Sequence, residues 1–305
     1  MLLQSFLIGA NILWLGIEIG GSLCYYIINK VWLNYGRGCF MANKVVGYSE
    51  VVKNPENWAK DVSVVGDELM KLGFNIRTGP LSVYTLKREE TFFDVRYKED
   101  RVRDSRFKAL TLMDTSSWVR VSSIQNITKG ETEPKYFIDY RMGIDGDVKK
   151  FACFKKPEVP EIESVTRFFS SLSDSGFMQA RLFPVIELDV ESYHIVMVKP
   201  SESVAGVNAV IEMIYKIQRD KQRPDAGAIV SFELKDRTAK RGGAEAGEIM
   251  SGAVADANLV MRRYAKRTGK SMLCGNPYME IHSDVERLRN LEDAELLDIN
   301  AGQDD

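Results

Sequence analysis

Histidine is nearly missing from this 305-residue chain, which has only His194 and His282. Its four cysteines, Cys24, Cys39, Cys153 and Cys274, include no CxxC pair. A structural zinc site needs several such ligands at close spacing, so no metal centre of that kind is expected. Cysteines without a paired framework suit a reducing compartment. No GxSxG, HExxH or GxGxxG occurs in the chain, which leaves few groups for acid–base or nucleophilic chemistry. His194, in ESYHIVMVKP, would share a strand face with Val196 and Val198 and reads as a hydrogen-bonded core or edge residue. His282 has Glu280 and Asp284 two residues to either side, a spacing that would suit a metal on a strand face, yet it stands where an acidic end begins and is expected to face water. The sequence therefore leans away from an enzyme and asks for no cofactor.

A strong overall charge is also lacking: 41 Lys and Arg stand against 43 Asp and Glu, and 45% of residues are apolar. This excludes disorder as the main state and a uniformly basic coat. The balance conceals two opposed segments. From Lys216 to Lys270 thirteen cations meet seven acids, whereas from Glu280 to Asp305 nine acids meet only Arg287 and Arg289. Earlier in the chain, RYKEDRVRDSRFK (Arg96 to Lys108) combines six cations with Tyr97 and Phe107.

Charges are sparse in the first 29 residues too, with Glu18 alone among Leu, Ile and Tyr. The run is long enough to cross a bilayer as a helix, and Lys30 and Arg37 after it would keep the remainder cytoplasmic. The alternative expectation is that Met41-Ala42 is the true start and that the apolar leader, residues 1–40, is untranslated sequence read in frame.

After Met41, Asn54-Pro55 caps a helix whose apolar positions run from Trp58 to Leu72, ended by Gly73. Short β-branched and aromatic stretches follow, from LSVYTL to VKKFACF, with GETEP and GIDGD as turns. In KYFIDYRM, Phe137, Asp139 and Arg141 are expected on a solvated face. KKPEVPEIES (155–164) reads as a linker before a second helix and the strands LFPVIELDV and SYHIVMVKP. A helix over 205–221, the strand AIVSFEL and a long helix over 244–267 complete the pattern; a crossover between Tyr193 and Leu234 would make part of the second sheet parallel. The fold class is α+β: an antiparallel-rich first half, as a sheet or small barrel, and a mixed α/β second half ending in a long helix. The expected domains are a leader (1–40), a β-rich domain (41–156), an α+β domain (157–279) and an acidic tail (280–305).

YAKRTGKS, Tyr264 to Ser271, ends like a phosphate-binding loop, but its first position is Tyr rather than Gly, and it follows a helical pattern instead of a strand. Gly269 fits the residue just past a helix end, with cations placed against the negative end of the dipole. In the same segment Gly243, Gly247, Ser251 and Ala255 recur every four residues, a small-residue strip for intrachain packing or a homo-oligomer. Lys240-Arg241 beside Gly242-Gly243 brings cations to a helix start, where anions seat.

Cations that follow a phosphate backbone and aromatics that stack bases are the surface chemistry of single-strand binders. The residues expected to supply it are Arg96, Tyr97, Lys98, Arg101, Arg103, Phe107, Lys235, Arg237, Lys240, Arg241, Arg262, Arg263, Lys266, Arg267 and Lys270. The acidic end would compete with nucleic acid or recruit a partner protein. This organisation resembles that of bacterial and phage single-strand-binding proteins, although none of their motifs matches and the aromatic that commonly ends such tails is absent. The expectation is a non-catalytic, cytoplasmic nucleic-acid-binding protein, most simply for single-stranded DNA, or membrane-anchored if residues 1–29 are translated. A self-assembling virion or filament component is the second reading, and an enzyme of unknown class the third.

Overall fold

The computed structural model describes residues 3–7, 13–19 and 22–28 and, from residue 45 onward, all but 54, 56–57, 98–110, 144–145, 172–179, 274–276 and 302–305. It divides into two compact units, Met1–Lys44 and Val45–Asp305.

The first unit is not the expected apolar helix. Strands β1 (Leu3–Leu7), β2 (Leu13–Ile19) and β3 (Ser22–Ile28) form an antiparallel meander. Ile19 pairs with Ser22 across Gly20-Gly21, a pair that favours a two-residue hairpin and interrupts a helix. Among the described residues no helix is long and apolar enough to cross a membrane.

The second unit is built on a ten-stranded sheet. In chain order its elements are β4 (Val45–Val52), α1 (Trp58–Lys71), β5 (Asn75–Ile76), β6 (Val83–Tyr97), β7 (Trp118–Asn126), β8 (Lys135–Arg141), β9 (Lys149–Cys153), α2 (Glu163–Ser171), β10 (Ala180–Pro200), β11 (Asn208–Asp220), β12 (Ala228–Asp236), α3 (Thr238–Ile249), α4 (Ser251–Thr268), β13 (Ser271–Met272) and α5 (Pro277–Ala301). The strands lie in the order β13-β4-β12-β11-β10-β6-β7-β8-β9, with β5 also on β10, and every neighbouring pair is antiparallel. The helix expected over 205–221 is β11, and with it goes the parallel crossover. In NAVIEMIYKIQRD the polar Glu212, Lys216, Gln218 and Asp220 alternate with Ile211, Met213, Tyr215 and Ile217, the period of a strand, and both sides are buried along most of its length. The two strands expected in 180–200 are one, bent by a bulge between Pro184 and Ile186. Sheet pairing also crosses the expected boundary at 157, because β10 joins β6 to β11 and β4 joins β12.

One face of the sheet carries α1 and α4 over β4, β12 and β11, with Tyr48, Leu69, Met213, Phe232 and Met261 buried between them. Further along, α2 buries Val165 and Phe169 against Phe93 and Val121. The opposite face receives α5, whose Tyr278, Ile281 and Val285 pack on Phe92, Ile186 and Ile229. The acidic tail expected from residue 280 thus begins as a docked helix. Arg289 fixes it by donating to the fully buried Asp220 through Nε (3.0 Å) and Nη2 (2.8 Å).

On that second face Asp139 is not solvated. It is 3% exposed and accepts from Arg120 Nη2 at 2.9 Å, while Arg120 Nη1 donates to Glu90 at 3.1 Å. An arginine shared between two carboxylates lets all three charges leave water together.

Candidate nucleic-acid interface

The cations gathered from the sequence are sorted by the fold into three groups. The first is on α4. Its inner side buries Ala257, Met261, Tyr264 and Ala265, and helical spacing then turns Arg262, Arg263, Lys266 and Arg267 outward, all exposed. They fill the last two turns, where cations complement the helix dipole. Arg262, Arg263 and Lys266 have no ion-pair partner among the described residues, and Arg267 lies 5.7 Å from the Tyr264 ring. The helix stops at Gly269, with φ 69° and its N–H donating to the carbonyls of Ala265 and Lys266. TGKS is therefore a helix terminus, as its context implied. The single helix expected over 244–267 is broken at Met250, which separates α3 from α4, and just before that span Gly243 (φ 84°, ψ 175°) interrupts α3. Gly243 and Gly247 fall on α3, Ser251 and Ala255 on α4, so the small-residue strip is not one continuous helix face.

The second group is neutralised. Lys270 Nζ donates to Asp61 Oδ2 at 2.9 Å, to Glu50, and to Tyr48 OH at 3.3 Å, and sits 4.4 Å from the Tyr48 ring centroid. Asp61 also accepts from the hydroxyls of Tyr48 and Tyr264, each at 2.6 Å. Burial alone would raise the Asp61 carboxyl, but hydrogen bonds from Tyr264, Tyr48 and Lys270 outweigh it and hold the group below the ordinary range. Burial, followed by the bond to Asp61, pushes the Tyr48 and Tyr264 hydroxyls well up, so both stay protonated and donate to Asp61. This cluster floors a cleft of about 500 Å³ between α1, β4 and the end of α4, rimmed by Lys60, Arg267 and Thr268. With Lys270 already paired to two carboxylates, Lys60 and Arg267 supply the positive rim.

The third group, Lys235 and Arg237, belongs to the end of β12. By register Lys235 shares a face with Glu212 and Glu233, opposite the face that holds α4. Arg237 donates to Glu212 Oε2 through Nε (2.7 Å) and Nη2 (2.6 Å). Burial and then the neighbouring Arg237 push the Lys235 ammonium down to about 8. Lys240 and Arg241 are exposed in the first turn of α3. Arg96 and Tyr97 close β6, where Tyr97 pairs with Ala180, but their side chains lie outside the described residues, as do Lys98, Arg101, Arg103 and Phe107.

The sequence places His194 correctly in the core and conceals its partners. Its Nδ1 is 3.1 Å from Glu212 Oε1 and its Nε2 is 2.9 Å from Ser192 Oγ, and Tyr84 stacks on the ring at 4.5 Å while donating to Glu212. Burial holds His194 below its ordinary range despite Glu212, so a neutral ring donates from Nδ1 and accepts from Ser192. The order hydroxyl, imidazole, carboxylate is that of an acyl-transfer relay, but Ser192 is fully buried and His194 is 2% exposed, which keeps a substrate from Oγ. The network instead ties β6, β10 and β11 together. His282 lies on helix α5, not on a strand; residues two apart there point to different sides, and Asp284 is buried while His282 Nδ1 is 3.7 Å from Glu286. Among the described residues no three metal-ligating side chains converge.

No protein-family model matches this chain, and no curated protein matches it.

Proposed function

We propose that this protein binds nucleic acid without catalysis, in the cytoplasm, and that α4 is the principal contact. The observation that carries this reading is the outer face of α4, where Arg262, Arg263, Lys266 and Arg267 occupy consecutive turns, exposed and next to the positive rim of the cleft at Lys60. Exposed cations on one helix face, of which Arg262, Arg263 and Lys266 have no ion-pair partner among the described residues, exchange condensed counterions for phosphates, the main source of affinity for a polyanion. Lys240 and Arg241 extend the exposed basic set, whereas Arg237 and Lys270, already paired, serve the fold. Preference for single strands rests on Tyr97 and Phe107, whose type and company suit base stacking. Residues beyond Arg289 contain six acids and no Lys or Arg, and as a local polyanion they compete for the same cations or recruit a partner protein.

Filter binding of single-stranded DNA across a salt series tests this. Arg262→Glu with Arg263→Glu is expected to weaken binding at least tenfold and to shrink the log–log salt slope by roughly 0.7 for each phosphate no longer neutralised. Because both side chains are exposed, thermal stability should stay near that of the parent. Unchanged affinity and slope in a folded variant would remove α4 from the mechanism.

A further inference from the structure

The sheet ends at β9, and among the described residues nothing pairs with the outer edge of that strand. Edge strands are ordinarily shortened, covered or guarded by charge, because their free N–H and C=O groups invite another strand. Beside the exposed Lys149, the strand carries Phe151, 51% exposed, and is flanked one residue beyond its ends by Val148, 59% exposed, and Phe154, fully so. The central lysine does not guard it. Lys150 reaches back toward β8, with Nζ 4.2 Å from the Phe137 ring centroid and 3.7 Å from Asp139 Oδ1.

We infer that β9 is a homodimerisation edge, pairing antiparallel with β9 of a second copy about a two-fold axis at Phe151. Such an axis stands perpendicular to the sheet, so opposed residues must share a face and the register is centred on a residue. Centring on Lys150 sets Lys150 against itself, and centring on Ala152 sets Lys149 against Lys155; like charges directly opposite are destabilising. Centring on Phe151 removes both conflicts. Phe151 then faces Phe151, Val148 faces Phe154, Lys150 faces Ala152 and Lys149 faces Cys153. In this register alone among the three, no lysine opposes a lysine and the apolar residues meet one another, which selects a second copy as the occupant. Two ten-stranded sheets become one, and the exposed aromatic rings of each copy are covered by those of the other.

Sedimentation of the full chain without nucleic acid, over about 1 to 100 µM where a modest interface associates, should show a shift from the 34.5 kDa monomer to twice that mass. Phe154→Lys, at a fully exposed position that folding does not need, should lose the dimer, and Phe151→Glu should do the same. A register test uses single cysteines with the native ones changed to Ser. Phe151→Cys should oxidise to a covalent dimer, because directly opposed residues in an antiparallel pair come within disulfide reach. Ala152→Cys, which faces Lys150, should cross-link several-fold less. A chain that stays monomeric throughout, a dimer indifferent to Phe154→Lys, or equal cross-linking at 151 and 152 would each overturn the inference.

Discussion

Asp61 shows how much a single carboxylate organises. It joins α1 to β4 and to the end of α4 by accepting from Tyr48, Tyr264 and Lys270. Asp61→Asn places an amide donor where three donors converge, and a loss of about 2 kcal/mol is expected in urea unfolding at pH 7. Because the folded carboxyl lies below its unfolded value of about 3.9, its contribution is complete above that pH and fades as pH falls through the folded value. Parent and variant should therefore converge in stability as pH is lowered from about 3.9 through the folded value, and a gap of constant size over that descent would contradict the ionised role. None of these partnerships is legible in the sequence. Lys270 lies 209 residues from Asp61 and 220 from Glu50, and it stands out in the chain only as part of TGKS, a context that points to phosphate. His194 is legible as a core residue because its strand alternation is local, but Glu212 and Tyr84 reach it through register, which is not.

Among the elements, α1 and the end of α4 follow their apolar spacing and glycine stops, which act within a few residues, although the Asn54 cap lies outside the described residues; α2 forms where a second helix is expected but buries Phe169 and exposes Phe168. Gly73 has φ 86° and Gly269 φ 69°, the left-handed conformation that makes both readable as stops. β11 does carry a period of two, with Glu212, Lys216, Gln218 and Asp220 alternating with Ile211, Met213, Tyr215 and Ile217, but Ile214 on the polar side blurs it toward a helical spacing. The terminal helix is held by a contact that composition conceals. Arg289 is one of two cations in an acidic stretch, and it spans to Asp220 with a two-bond grip. Removing it leaves a buried carboxylate without its charge partner, so Arg289→Ala should destabilise the protein by about 2 to 4 kcal/mol. Hydrogen exchange distinguishes release of the helix from general loosening. Amides of α5 are expected to exchange faster than those of β10 and β11, and uniform acceleration would count against a docking role.

For the molecule as a whole, the docked part of α5 and the acids beyond it are separable. Truncation after Arg289 keeps the Asp220 contact and the buried Tyr278, Ile281, Val285 and Leu288. The shortened chain should melt within about 2 °C of the parent, bind single-stranded DNA more tightly, and show a steeper salt dependence. Equal affinity in a chain that melts normally would show that the terminal acids do not compete for the basic face.

Composition, charge blocks, the α+β class and the antiparallel character of the first half were fixed by local chemistry: side-chain period, turn residues and capping act over distances that a sequence displays. Which cations remain available was decided only by tertiary structure. Arg262, Arg263 and Lys266 look no different in the chain from Arg237 and Lys270, yet the last two meet carboxylates brought from other elements and are held in ion pairs. Pairing of that kind depends on strand order and face, and these are set by the burial of the whole sheet rather than by any segment of it.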